Sequence, residues 1–340
     1  MICSSNDPLR QASCVLVIYI EPLLCITGIV LNATCITIFI FVSSHGYFRK
    51  TSLLMYLIAM CMCNTLQLFL SVFVLILPAA EQYILVEHST KSNFLKTFNA
   101  FSVRITYPLL LAANYASIWI LTLICAQRFH SVCEPWSIWK HRLQVIRNSR
   151  IPIIVTICLA LGLEIILIQN GLNLIRFWEL EWNDMISLRE TALKKHIIYQ
   201  ILQEGLTYGL VVYGCPMILL IWLNVNTIML IFKDEARRQR PGAENRTALM
   251  SVFVFIFFFL CTTLAVSIRF IMIIERSRFT TSEFTWLVDL SNLLMNMNAV
   301  VMPILCFIFT RGFKDIFFVI RFAPQDKLNK YQQYSRIQHI

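Results

Sequence analysis

Seven times along its length the chain runs for about 20 residues or more with almost no charged side chain, and a stretch of that length is what crossing a bilayer as a helix requires. The stretches are 15–42, 52–79, 101–132, 151–170, 198–232, 247–274 and 284–309. No Asp, Glu, Lys or Arg lies between Glu21 and Arg49, from Thr51 to Ala80, from Ile105 to Gln127, or from Gly205 to Phe232. The fourth stretch is the weakest, with Pro152 near its start and Glu164 inside it. No internal repeat or linker divides the pattern. The expected fold class is an all-α membrane protein, a seven-transmembrane helix bundle.

Composition supports lipid as the solvent. Of 340 residues, 58% are hydrophobic and 14% charged, with mean hydropathy +0.68. Soluble domains carry about a quarter charged residues. Disorder, a coiled coil and a disulfide miniprotein are excluded. The net charge of +10 would suggest nucleic acid in a soluble protein. Here its placement points to membrane orientation instead, and no nucleic-acid partner is expected. Nine of the twelve cysteines lie in the apolar stretches and none form a CxxC pair. They read as buried thiols that pack as small hydrophobes. No metal site and no cofactor are expected.

Lys and Arg collect on the cytoplasmic side of membrane proteins. With the N-terminus outside, inner segments carry eighteen of these residues and outer segments nine. The expected arrangement is an extracellular N-terminus (1–14), a transmembrane domain (15–309), an amphipathic surface helix (310–322) and a short cytoplasmic tail (323–340), multi-pass in the plasma membrane. No cleavable signal peptide is expected, because the first apolar run is too long for one. The surface helix rests on the alternation of apolar and charged residues from Arg311 to Phe322 at helical spacing, and membrane lipid would be its partner. A frayed end of the seventh span would give the same pattern.

Seven spans, an outer N-terminus and a surface helix make the layout of a rhodopsin-like G-protein-coupled receptor, and single residues fall where that family has landmarks. Gly28 and Asn32 lie in the first span, Asn64 midway along the second, Arg128 at the end of the third, Pro216 in the fifth, and Asn298 and Pro303 in the seventh. Polar groups at mid-membrane are expensive and face the bundle interior; an asparagine that only joins two helices would look the same. Arg128 would meet a heterotrimeric G protein in that family, although a snorkelling arginine also sits at helix ends. The continuation from Arg128 and Phe129 to Pro135 resembles the family's segment.

Tyr107-Pro108, Ser117-Ile118-Trp119, Gln127-Arg128-Phe129 and Val132-Cys133-Glu134-Pro135 lie in and after the third span, Arg176-Phe177-Trp178-Glu179 in the second outer loop, and Asp289-Leu290-Ser291-Asn292-Leu293-Leu294 in the seventh span. In these elements the chain resembles invertebrate (nematode) FMRFamide-like neuropeptide receptors. The resemblance covers most of the chain from the first span to Phe322. Signal transduction from an extracellular peptide of the Arg-Phe-amide type to a G protein is what it implies, with Asn64, Arg128, Pro135, Asn298 and Pro303 in coupling. The chain departs from the family at Gln127, which replaces the acidic neighbour of Arg128, and at Asn64, which replaces an aspartate. Met302 and Cys306 replace the amide and phenol of the seventh-span switch. With Val103 and Arg104 at the outer end of the third span and no cysteine in the second outer loop, the family's loop-to-helix disulfide cannot form. Cys3 and Cys14 remain on the outside.

The default ligand cleft is the outer opening among the third, fifth, sixth and seventh spans. Tyr107, Asn114, Gln203, Glu204, Arg269, Asp289 and Asn292 could line it. A guanidinium would seek a carboxylate, and Asp289 and Glu204 are the candidates, with Glu164 behind them. Asp289 could equally pair internally with Arg269, and Glu204 could be a solvated helix end. Acids of the outer loops, Glu81 and Glu179 among them, could steer a cationic peptide. Leu110 where amine receptors carry an aspartate, and Asn296 where light receptors carry a lysine, argue against those ligands. The sequence holds no GxSxG, HExxH or P-loop, so no enzyme is expected. Two other readings stay open: a chemosensory receptor of the same fold for a small molecule, and a transporter or channel, which the lack of repeats disfavours.

Overall fold

The computed structural model describes residue 3 and residues 7–44, 52–84, 92–134, 136–148, 150–169, 178–183, 185–190, 209–237, 242–274 and 282–309. Helix α1 (Pro8–Val15) runs through a π-helical turn, Leu16–Ile20, into α2 (Glu21–Ser44). Helix α3 (Ser52–Ser71) runs through a second π-helical turn, Val72–Ile76, into α4 (Leu77–Ile84). Then come α5 (Ser92–Val132), the short α6 (Ile138–Arg142) and α7 (Gln144–Asn148), and α8 (Ile151–Gln169). Strands β1 (Trp178–Asn183) and β2 (Met185–Glu190) form an antiparallel hairpin. A π-helical segment at 209–214 leads into α9 (Cys215–Arg237), followed by α10 (Gly242–Ile274) and α11 (Ser282–Phe309).

Each of the seven apolar stretches is helical where it is described. Among the described residues, five helices are long and apolar enough to span a membrane: Pro8–Phe41, Leu53–Tyr83, Phe101–Val132, Gly209–Lys233 and Thr285–Leu305. The fourth and sixth stretches carry shorter apolar windows, Ile151–Leu163 and Val252–Ile268. Lipid offers no hydrogen bonds, so the helix satisfies its own backbone. Hydroxyls on the outer surface do the same: Thr34 and Thr37 donate to the carbonyls of Val30 and Ala33, at 2.8 and 2.9 Å. They can therefore face lipid at little cost. The first helix begins at Pro8, ahead of the apolar run, because Asp7 caps it by accepting from the Leu9 amide at 3.1 Å. The surface helix expected at 310–322 lies outside the described residues, as does the tail.

Burial separates two faces on one helix. In α2, Leu23 and Ile26 are 65% and 63% exposed, while Glu21, Cys25 and Asn32 are buried. Large exposed aliphatics on every span make a surface that suits acyl chains and would aggregate in water. The third span is the axis: α5 packs against α3, α8, α9, α10 and the hairpin strand β2. Its residues Leu111, Tyr115, Ile118, Leu121 and Ile124 are buried in the main core. Helix α11 closes the bundle against α10, α2, α3 and α1. Cys158 and Cys215 depart from the expectation of buried thiols. Both are exposed on the outer surface, which costs little because a thiol is nearly apolar.

Hairpin register places Trp178 opposite Glu190 and Glu179 opposite Arg189. It is an addition to the all-helical expectation, confined to the connection between α8 and the fifth span. The Arg-Phe pair of the outer-loop motif, at 176 and 177, lies outside the described residues. Glu81, read as a steering acid, is committed to structure. It accepts from Asn99 Nδ2 at 2.6 Å and joins α4 to α5.

Cys3 and Cys14 form a disulfide that closes a short loop over the start of α1. The cysteines are 11 positions apart, and a loop this size contributes roughly 2–3 kcal/mol by restricting the unfolded chain. The disulfide straps residue 3 to α1, and α1 in turn packs on α11, the seventh span. Cys3→Ser is expected to lower the melting temperature of the purified protein and to speed amide exchange across residues 8–15. Unchanged exchange there would show that α1 docks without the strap.

Candidate functional site

Among the described residues, polar side chains of the first, second, third and seventh spans meet at three stations. Asn32 of α2 donates from Nδ2 to the carbonyls of Gly28, at 2.9 Å, and Ala299, at 3.0 Å, tying the first span to the seventh. Asn64 of α3 accepts from Ser117 Oγ of α5 at 2.7 Å, tying the second span to the third. An amide at membrane depth has no water to turn to; one atom of each finds a partner across the bundle, while Asn32 Oδ1 and Asn64 Nδ2 are buried without one.

The largest station centres on Asn296 of α11. Its Oδ1 accepts from Gln67 Nε2 at 3.2 Å and from Ser71 Oγ at 3.1 Å, both of α3. Its Nδ2 donates to Glu21 Oε1, at the head of α2. That orientation is self-consistent, since turning the amide over would set its donor against the Gln67 donor. Glu21 is 1% exposed, and its second oxygen, Oε2, is buried with no hydrogen-bond partner.

Glu21 also lines a cavity of about 180 Å³ among the first, second and seventh spans. The two π-helical turns supply part of its wall through Val17, Val74 and Leu75, with Pro78 and Ala79 of α4 beside them. Its polar lining is Gln82, Tyr83, Thr285, Asp289 and Asn292 in addition to Glu21. A π-helical turn widens the helix locally and re-aims the side chains around it. Here both turns do so at one cavity. Asp289 accepts from Ser13 Oγ, which brings the N-terminal helix to its rim.

Of the residues proposed from sequence for the outer cleft, Asp289 and Asn292 share this cavity. Tyr107 and Asn114 do not line it. Tyr107 is half-buried beside the main core, and Asn114 is buried with Nδ2 unpartnered. Glu204 lies outside the described residues, and so does the side chain of Arg269 in α10. The described cavity is thus bounded by the first, second and seventh spans, where the sequence pointed to the third, fifth, sixth and seventh. Helix α1 and the π-helical turns shape that opening, and neither leaves a mark on hydropathy. The partner of Asp289 is Ser13, where the sequence offered Arg269.

Sequence reasoning passed over Glu21, Gln67 and Ser71 as site residues. The available signal was Glu21 itself, the last charged residue before a run that is charge-free to Arg49. An acid at such a boundary can be drawn into the bundle by one well-placed amide.

At the far end of the third span, Arg128 is half-buried in the last turns of α5. Phe129 stacks edge-on against Trp222 of α9, with centroids 5.4 Å apart, and Trp222 meets Trp139 of α6 at 4.8 Å. Lys140 Nζ donates to the Cys133 carbonyl at 3.0 Å, and Lys233 of α9 pairs with Glu134 at 2.8 Å. Tyr56 of α3 donates to the Ile146 carbonyl in α7 at 3.1 Å. The segment after Arg128 is thereby held against the second and fifth spans. Pro135 lies outside the described residues. Asn298 is half-buried in α11, and Pro303 is buried within that helix.

Together these features define a multi-pass helical membrane protein with a polar cavity among its first, second and seventh spans. No family model matches the chain. Among curated proteins it is similar to the FMRFamide peptide receptor frpr-18 of Caenorhabditis elegans, at 24% identity over 315 residues. The match takes in 86% of this chain and 67% of the relative.

Proposed function

We propose that this chain is a rhodopsin-like G-protein-coupled receptor for an amidated, FMRFamide-like neuropeptide. It lies in the plasma membrane with its N-terminus outside and its C-terminus in the cytoplasm. The observation that carries this reading is the match to a peptide receptor over 86% of the chain. The bundle is consistent with it. Its described cavity is small, carboxylate-bearing and close to α1, which the proposed orientation puts on the extracellular side. The opposite end of α5 presents Arg128 to the cytoplasm.

In this reading Asp289 and Asn292 meet the ligand at the cavity rim. Tyr107, Asn114, Glu204 and Arg269 serve a deeper or neighbouring part of the outer cleft. Agonist shifts the population toward a state in which the sixth span moves outward at its inner end. Arg128, Pro135, Asn64, Asn298 and Pro303 belong to the coupling half. The Asn64–Ser117 bond ties the second span to the third, as the Asn32–Ala299 bond ties the first to the seventh. Their rearrangement would connect cavity and inner face.

The test is a panel of Arg-Phe-amide peptides on cells expressing the full chain, read as calcium or cAMP responses, with surface display verified by an N-terminal epitope tag on unpermeabilised cells. At least one peptide is expected to act below micromolar concentration. Silence toward all peptides at micromolar dose, with the tag visible, would overturn the peptide assignment in favour of a small-molecule receptor.

A further inference from the structure

We propose that the cavity among the first, second and seventh spans is a guanidinium site in which Glu21 is the counter-ion. The inference rests on the receptor reading only for the source of the guanidinium, the arginine of an Arg-Phe-amide ligand.

Three observations lead to it. Gln67 and Ser71 both donate to Asn296, whose own amide then donates to Glu21 Oε1. Donors aligned in series polarise one another toward their terminus. That terminus is one oxygen of Glu21, an arrangement suited to holding negative charge there. The other oxygen, Oε2, is buried and lacks any partner, in a residue 1% exposed. A buried carboxylate oxygen left bare is costly, and the cost is relieved either by a proton or by a donor from a ligand. Finally, the cavity beside it holds a second carboxylate, Asp289, and among the residues lining it there is no Lys or Arg.

The geometry favours guanidinium over ammonium. An ammonium is a compact, strongly hydrated charge, whereas a guanidinium is weakly hydrated, planar and carries five donors. Five of the eleven lining residues are apolar, and acceptors come from all three spans: Glu21, Asp289, and the amide oxygens of Asn292 and Gln82. Tyr83 supplies an aromatic surface in the same lining. A volume of about 180 Å³ accommodates one side-chain head, not a whole peptide. The remainder of the ligand would extend past Thr285 and α1.

The test uses the purified full chain and two small probes at millimolar concentration, N-acetyl-arginine amide and its neutral isostere N-acetyl-citrulline amide. The arginine probe is expected to raise the melting temperature by about 2 °C, a stabilisation that a bound ligand near saturation supplies, and the citrulline probe by much less. In Glu21→Gln the two probes are expected to become equivalent. The glutamine oxygen can still accept from Asn296, so this variant retains the network. Asp289→Asn is the second variant and is expected to narrow the difference between probes. Equal shifts by both probes on the parent protein would overturn the proposal. So would discrimination that survives in Glu21→Gln, since the charge would then be read elsewhere.

The same outcomes separate this proposal from the peptide assignment. Discrimination by the purified protein without any peptide-evoked signal leaves the guanidinium site standing and removes the neuropeptide reading. A peptide response whose potency is unchanged by Glu21→Gln and by a citrulline-substituted peptide does the reverse.

Discussion

Replacing Gly28 with valine is expected to strip most of the folded protein from the membrane. A Cβ at this position would stand 2.6 Å from Leu68 Cδ1 and 2.7 Å from Val300 Cγ2, well inside van der Waals contact. The first, second and seventh spans therefore meet at a point with no room for a methyl group. Leu68 is fully buried, so its side chain has nowhere to retreat. Val300 is β-branched and held to one rotamer in a helix, so it cannot rotate aside. The helices themselves would have to separate. That movement would also stretch the 3.0 Å bond from Asn32 to the Ala299 carbonyl, taking from that buried carbonyl its side-chain donor. Overpacking of this kind costs about 3 kcal/mol before the lost hydrogen bond is counted. The measurement is surface display by tag staining, together with the melting temperature of the purified variant. Gly28→Ala should be milder, and Val300→Ala should partly restore it by vacating one of the two contacts. Normal display and melting of Gly28→Val would mean that the three spans do not approach this closely.

Arg128→Ala is expected to abolish peptide-evoked signalling while leaving surface display and ligand binding intact. The structure explains why the two effects should separate. The polypeptide after Arg128 is held by other groups. Phe129 and Trp139 both meet Trp222, Lys140 donates to Cys133, and Glu134 pairs with Lys233. Removing the arginine side chain leaves each of these in place. In the proposed function its guanidinium is what the inner face offers to a G protein, as a planar multi-donor group that alanine cannot replace. A loss of more than about 100-fold in potency or maximal response corresponds to roughly 3 kcal/mol of lost coupling, within reach of one charge-assisted contact set. Arg128→Lys retains charge without the fork and should fall between parent and alanine. Full signalling by Arg128→Ala at matched display would remove this residue from coupling.

Hydropathy decides membrane segments residue by residue, which is why their placement could be read directly. The transfer of a leucine or a lysine into lipid is a local free energy, and summing it along the chain needs no knowledge of neighbours. The seven stretches, the weak fourth one with Pro152, and the interior placement of Asn32 and Asn64 all follow from that sum. Helix ends were less accurate. The first helix starts at Pro8 because of a cap at Asp7, and the described part of the fifth span carries a π-helical segment at 209–214. Capping and π-helical turns are backbone events that average hydropathy does not register. Cys14 shows the same division. Its position outside the apolar run was legible, whereas its bond to Cys3 depends on how α1 bends the chain back.

What the chain determined on its own is therefore its solvent, its helical class and the set of polar residues too costly to leave facing lipid. Which of those residues meet was settled only by packing. Glu21 and Asn296 stand 275 residues apart and share a hydrogen bond. Asp289 reaches Ser13 across a similar distance in sequence. Lipid tails are as apolar as the helices they surround, so bilayer insertion does not choose which helix faces touch. That choice rests on shape, such as the bare backbone of Gly28 against Leu68 and Val300, and on the few hydrogen bonds a buried amide can find. Both are properties of three helices at once, and no single stretch of sequence contains them.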